Sequence, residues 1–414
     1  MRLGTNLPAV GGYNQKVVLD VIRRTSGGLS RVELAEATGL SAQTVSNVSR
    51  RLLADGLIRE AGTATDGGVG KPRTILQLES RGRFAVGVHL DPSVITLVVL
   101  DLAGSVVTHS RMPAPSAVSS EETIERIAAA VESLIATAAV SRDRIVGVGV
   151  AAPGPVDLGR GIMLNPPLLS GWQSVPVRDA LLERLALPVL VEKDVTAAAV
   201  AELWMGDAET RGNFAFFYYG TGTGLGVVLG GEVIRGASGN AGDIGHILVT
   251  HGGEVCSCGR RGCLGNVILP RLLVTNWLGR GAGATPEEEL DVAAVHREFA
   301  ALAARAEEGD DDARSVLEAT AAHIATGLVA IINLLDLDRV VFGGPFWHPA
   351  SAFLLGLVPG LVAASPALVA PHTVAFEESE IGEDVAAVGA ACLVLDNTFS
   401  PRPDTLLLSP AVRS

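Results

Sequence analysis

The sequence predicts two similar α/β lobes with a cleft between them, preceded by a small winged helix-turn-helix domain. Three observations carry this. From Phe84 onward the chain repeats an order of three strands followed by helices and further strands. Before it, residues 14–80 read as capped short helices and then two strands around a Gly-rich loop. Charge divides at the same place: residues 1–80 hold 10 Lys/Arg and 7 Asp/Glu, whereas residues 81–414 hold 22 and 38. A basic head on an acidic body assigns any nucleic-acid contact to the head.

Composition bounds the rest. The 414 residues are 48% hydrophobic and 19% charged, which excludes a disordered chain. No run of 18 uncharged apolar residues occurs, so no membrane span is expected. The opening MRLGTNLPAVGGYNQK lacks the apolar stretch of a secretory signal. The expected location is cytoplasmic.

In the head, Val17, Val18, Val21 and Ile22 recur at helical spacing until Gly27–Gly28. Ser30 caps a short helix with Glu33 three residues on, a capping box, and Gly39 closes it. Ser41 caps a third helix whose apolar face is Val45, Val48, Leu52 and Leu53. Its front carries Ser41, Gln43, Thr44, Ser46 and Asn47. Amides and hydroxyls of this kind suit base edges, with Gln and Asn able to bond adenine bidentately. Arg50 and Arg51, further along, suit phosphates. GLIREAGTATDGGVGKPRTILQLE then reads as the wing, with Lys71 and Arg73 placed for a minor groove or for phosphates. The rival reading is a small helical domain that binds protein.

In the body, FAVGVHL, VITLVVLDLAG and VVTHSRM read as consecutive strands, then a helix, the strand RIVGVGVAA and a Pro153–Pro155 turn. LPVLVEKD is another strand and runs into the helix VTAAAVAELWMG. A second set follows from NFAFFYYG to DRVVFGGP. The expected divisions are a head at 1–80, a first lobe at 81–200, a second lobe at 201–395 and a tail at 396–414.

Three of the four cysteines fall within eight residues. With His246, the residues Cys256, Cys258 and Cys263 give H-x9-C-x-C-x4-C. One imidazole and three thiolates match a closed, tetrahedral structural zinc site. Gly259 and Gly262 free the backbone for the bend that Cys256 and Cys258 need. Three buried free thiols are the alternative, and His251 is a rival ligand. Cys392, in AAVGAACLVL, reads as a packed core thiol.

Residues 81–395 resemble the ROK proteins (repressors, open reading frames and kinases) of the actin-like, sugar-kinase fold. The resemblance rests on GVGVAAPGPVD, LPVLVEKDVTAAAVAELW, GTGTGLGVVLGGEVIRGASGNAGDIGHI, CSCGRRGCL and AIINLLDLDRVVFGGP, in that order. The head resembles that of the repressor branch. The resemblance implies the same zinc layout, and a zinc that orders a loop carrying a sugar contact, so that His246 joins metal and effector pocket.

It also locates what a kinase would need. The family's first phosphate turn, D-x-G-G-T, is here His89-Leu90-Asp91-Pro92-Ser93. The carboxylate and both glycines are gone, Pro92 offers no amide hydrogen, and Asp91 is out of register to replace the lost carboxylate. The second turn, Gly220–Gly224, survives; the third, Gly343–Gly344, runs into Pro345 and Phe346. Phosphoryl transfer is therefore expected to be lost.

Of the sugar contacts the resemblance implies, Asp194 remains as the vestigial base and His246 is kept. Asp243 shortens a Glu, Lys193 replaces an Asn, and Gly265 replaces a Glu. Asn165 is a candidate hydroxyl partner or simply a turn residue before two prolines. Lys193 is the only lysine beyond residue 80. These exchanges make the pocket two charge units more positive than the family pattern. The expected effector is accordingly anionic, a sugar phosphate or sugar acid. A neutral sugar, or a Lys193 that merely pairs with Asp194 or Asp243 in an empty pocket, are the alternatives.

The expected function is a sugar-responsive DNA-binding regulator, in the repressing sense, acting as a homodimer or homotetramer on a palindromic operator. The competing readings are an ATP-dependent sugar kinase and a ligand-blind DNA-binding protein.

Overall fold

A computed structural model describes residues 7–64, 73–114, 119–166, 169, 171–206, 212–280 and 292–401. The head comprises α1 (Leu7–Arg23), β1 (Leu29–Ser30), α2 (Arg31–Thr38), α3 (Ala42–Ala54), β2 (Ile58–Ala64) and β3 (Arg73–Leu78). α1 begins at Leu7, ahead of the expected residue 14, because Pro8 is tolerated in a first helical turn. The capping box forms. Ser30 Oγ accepts the Glu33 amide at 3.4 Å, and the Glu33 carboxylate accepts the Ser30 amide at 2.7 Å. Val18, Ile22, Leu34, Val45, Val48 and Leu52 fill the head's interior. The strands form a β1-β3-β2 antiparallel sheet, in which the two-residue β1 has no sequence signal of its own.

The first lobe opens with the meander β4 (Phe84–Leu90), β5 (Val94–Asp101) and β6 (Val106–Pro113). Helix α4 (Ser120–Thr137) follows, then β7 (Ile145–Ala152) and a small ribbon, β8 (Val156–Asp157) with β9 (Ile162–Met163). Next come α5 (Val177–Leu185), β10 (Val189–Lys193) and α6 (Asp194–Met205). The sheet order is β10-β7-β4-β5-β6, with β4, β7 and β10 parallel.

The second lobe repeats the pattern with β11 (Phe214–Tyr219), β12 (Thr223–Leu229) and β13 (Glu232–Val233). Helices α7 (Leu264–Val267), α8 (Pro270–Arg280), α9 (Val292–Glu307) and α10 (Asp311–Leu335) come next. The chain continues as β14 (Arg339–Gly343), α11 (Ser351–Ala363) and β15 (Ala375–Glu378). The order β13-β12-β11-β14-β15 again joins an antiparallel meander to parallel strands. The two lobes thus share one topology, as the repeated strand order implies.

α10 is the one helix among the described residues that is long and apolar enough to cross a bilayer. Its Leu317, Ile324, Leu328 and Ile332 are fully buried in the second lobe, so it is a core helix.

The final helix, α12 (Val385–Phe399), corrects the expected division at 201–395. It packs on β4, β7 and α6 of the first lobe, with Cys392 fully buried. Glycines make that approach possible. A Cβ on Gly149 would lie 1.8 Å from the Ala390 carbonyl oxygen, and one on Gly389 would lie 1.9 Å from that of Ala197. Residues 396–399, placed in the expected tail, complete this helix.

Candidate functional site: a nucleic-acid face, an inter-lobe cleft and a metal cluster

α3 buries Val45, Val48, Ser49 and Leu52 and turns its other side outward. Ser41, Gln43, Arg50 and Arg51 are exposed; Thr44, Ser46 and Asn47 are half-buried. Ser41 Oγ caps the helix by accepting the Thr44 amide at 3.2 Å. Asn47 Oδ1 accepts from Gln43 and from Arg50, each at 3.4 Å. These are long bonds between exposed groups, so the side chains are available to a better partner. Arg73 is exposed at the start of β3. Lys71 lies outside the described residues.

A cleft of about 480 Å³ opens between the lobes. Asp91, the Pro153–Pro155 turn, Lys193, Asp194, Tyr218, Thr221, Asn240, Asp243 and His246 line it. Lys193 ends β10 and its stem lies against Gly154. Its Nζ donates to the carbonyls of Ala241 at 3.2 Å and Asn240 at 3.4 Å. Asp194 opens α6, and its Oδ1 accepts the Val195 amide at 2.7 Å. Burial raises its pKa, opposed by the nearby His89 and Lys193. Asp243 is exposed at the rim and accepts the Gly245 amide at 3.3 Å. So four of the five expected effector residues share one cavity. Asn165 does not: it is exposed on a turn at φ +51° and is absent from the lining. A side chain at Gly265 has little room, since a Cβ there would lie 3.0 Å from Gly245 Cα.

Asp91, out of register by the sequence pattern, nonetheless sits on the cleft floor. Its Oδ1 accepts the Ser93 amide at 2.8 Å and the Ser93 hydroxyl. Its Oδ2 accepts the Thr221 hydroxyl at 3.0 Å. The carboxylate thus ties the altered first turn to the surviving second one. His89 is buried beside it, edge-on to Tyr218 with ring centroids 6.2 Å apart.

Two further contacts cross between the lobes. Glu192, 2% exposed, accepts from Arg235 Nε at 2.6 Å. Asn240 accepts the Val156 amide at 2.7 Å and donates to the Val156 carbonyl at 2.8 Å. No spacing in the sequence announces either contact. The partners are 43 and 84 residues apart, and only the lobe geometry brings them together.

The four expected metal ligands converge at one end of this cleft. Their ligand atoms all lie within 4.8 Å of one another. Cys258 and Cys263 sulfurs are 3.5 Å apart, as are Cys256 Sγ and His246 Nδ1. Tetrahedral zinc with bonds of about 2.3 Å to sulfur and 2.0 Å to nitrogen would need ligand separations of about 3.5–3.8 Å. The donor set therefore fits such an ion. The knuckle is closed by the Gly259 amide on the Cys256 carbonyl at 2.8 Å. Arg260 holds the Cys258 thiol down to about 6 through backbone and side-chain bonds, while burial and the neighbouring sulfurs push Cys263 up to about 11. His251 stands outside the cluster. His246 and Cys256 also line the cleft, so metal cluster and cleft share a wall.

A two-lobe sugar-kinase fold with a winged-helix head and a Cys/His cluster on its cleft defines the class of protein. The ROK family model matches residues 85–397, and the chain belongs to the ROK family. A MarR family model matches residues 12–67, within the head.

Relatives of both kinds occur. The transcriptional dual regulator NagC of Escherichia coli is 26% identical over 396 residues, 94% of each chain. The xylose repressor of Bacillus subtilis is 25% identical over 386 residues, 93% of this chain and 95% of its own. A glucokinase of Halalkalibacterium halodurans is 28% identical over 320 residues, 75% of this chain and 95% of its own. Among solved structures, a ROK transcriptional regulator homologous to E. coli MLC superposes with a TM-score of 0.76 at 24% identity. That match covers 96% of this chain and 98% of the other. The Streptomyces griseus ROK glucokinase bound to glucose and AMPPNP reaches 0.61 at 26% identity, over 75% and 98%. The repressors match head and body together; the kinases match the body alone.

Proposed function

We propose that this chain is a sugar-responsive DNA-binding transcriptional repressor of carbohydrate metabolism and that it transfers no phosphoryl group. The observation that carries the reading is the exposed polar face of α3, Ser41 to Arg51, on a head joined to a sugar-kinase body. Repressor relatives aligned over head and body support it. The altered first turn argues against ATP: His89 stands where the family pattern has its carboxylate, and Pro92, in place of a glycine, offers no amide hydrogen to a phosphate.

In this reading Gln43 and Asn47 face base edges, while Arg50, Arg51, Lys71 and Arg73 meet phosphates. His246, Cys256, Cys258 and Cys263 hold a structural Zn²⁺, which would fix the loop carrying Asp243 and His246. The protein works in the cytoplasm as a symmetric oligomer on a palindromic operator.

The effector is a sugar bearing an acidic group. Lys193 is buried, and among the described residues its ammonium contacts only backbone carbonyls. Asp194 lies beside it with its own carboxyl pKa raised by burial, and an acidic ligand would share the ammonium with that carboxyl.

Fluorescence anisotropy with duplexes from the gene's own upstream region, at stated salt, tests this reading. Glucose, xylose, glucose 6-phosphate and gluconate are titrated into the complex. Release by an acidic sugar alone is expected, and Lys193→Asn abolishes it. Release by neutral sugars, or an unchanged response in Lys193→Asn, overturns the anionic assignment. Failure to bind any duplex overturns the repressor reading. Sugar-dependent ATP hydrolysis reinstates a kinase.

A further inference from the structure

We propose that Arg23 is the residue through which the cleft positions the DNA-reading head, with α6 as the connecting strut; the inference rests on the reading above. Arg23 ends α1 of the head. Its Nη1 donates to the Trp204 carbonyl at 2.8 Å, and its guanidinium carbon lies 3.8 Å from the Trp204 ring centroid. Asp20 holds the other nitrogen at 2.9 Å. The side chain is only 6% exposed and Trp204 only 4%. A buried cation held by a carbonyl, a carboxylate and an indole face is a specified contact, unlike a flexible linker's chance one.

Trp204 lies near the C-terminal end of α6, and Asp194 at the helix's start lines the cleft. Ten residues of helix span about 15 Å, so one rigid element runs from cleft floor to head. The cleft end of α6 is wedged against the second lobe. A Cβ on Gly226 would lie 2.3 Å from the Val195 carbonyl oxygen. Any change in lobe angle must therefore move or strain α6 at Val195. A helix this tightly packed transmits displacement instead of absorbing it. The head meets the far end through Arg23, beside Val18, Leu19 and Ile22, which share an apolar cluster with Trp204.

The test perturbs the cleft without needing a sugar. In the full-length chain, Glu192→Gln weakens the ion pair with Arg235, and Asn240→Ala separately removes the clasp on Val156. Each is made with Arg23 intact and with Arg23→Met, which keeps the apolar stem. Two readouts are taken: affinity for the upstream duplex, and hydrogen exchange of the α1 amides.

With Arg23 present, each cleft substitution is expected to shift duplex affinity by about fivefold or more and to alter α1 exchange. In the Arg23→Met background the same substitutions are expected to change affinity by less than about twofold and to leave α1 exchange unmoved. Equal effects in both backgrounds, or no effect on α1 in either, overturn the proposal. If the unsubstituted chain binds no duplex, the repressor reading falls, while α1 exchange still decides whether the strut operates.

Discussion

Two residues illustrate how local bonds set local stability. Ser30 and Glu33 exchange hydrogen bonds across the first turn of α2. Ser30→Ala is expected to cost about 1 kcal/mol, read as a lower denaturant midpoint. The bonds from Ser30 hold the Glu33 carboxyl below its ordinary value. A depressed acid stabilises the fold above its unfolded pKa and loses that contribution as pH falls through the folded one. Denaturation at neutral and acid pH should therefore show the Glu33→Gln penalty shrinking in acid. This capping box was legible from four residues of sequence. Asp91 was not, because its partner Thr221 lies 130 residues away and its register showed only that it does not replace the family's carboxylate.

Among the elements, the cysteine segment was the most legible, since ligand type and spacing specify the chemistry before any fold is known. Its place beside the cleft was legible only through the family resemblance, as the geometry depends on the loop from Arg235 to His246 folding back toward Glu192 and Lys193 of β10. Because His246 and Cys256 belong to both sites, stripping metal with a chelator should lower the melting temperature and weaken the sugar response together. Cys258→Ser should do the same without a chelator, and metal content by emission spectroscopy checks both. A stable, fully responsive Cys258→Ser protein would remove the metal from the account. α12 marks the limit of reading elements in order. Its apolar sequence predicts burial but not which lobe receives it. The answer lies in close backbone approaches, where Gly149→Ala would place a methyl against the Ala390 carbonyl. That substitution should cost several kcal/mol, about the upper range for overpacking, in chemical denaturation.

Over the whole molecule, the strand order revealed two lobes, and the charge division separated head from body. What joins the parts was hidden, because Glu192–Arg235, Asn240–Val156 and Arg23–Trp204 pair residues from different units. Nothing in their own neighbourhoods marks them. Val18, Leu19 and Ile22 of α1 also lie in one continuous apolar cluster with Leu102, Trp204 and Leu395 of the body. Interchanging heads among regulators of this kind, to rewire which genes a given sugar controls, is therefore not a matter of cutting near residue 80. A grafted head would bring its own first helix against Trp204 and Leu102 and would leave apolar surface open wherever the two did not match. A working chimaera would have to carry the body side of that seam along with the head.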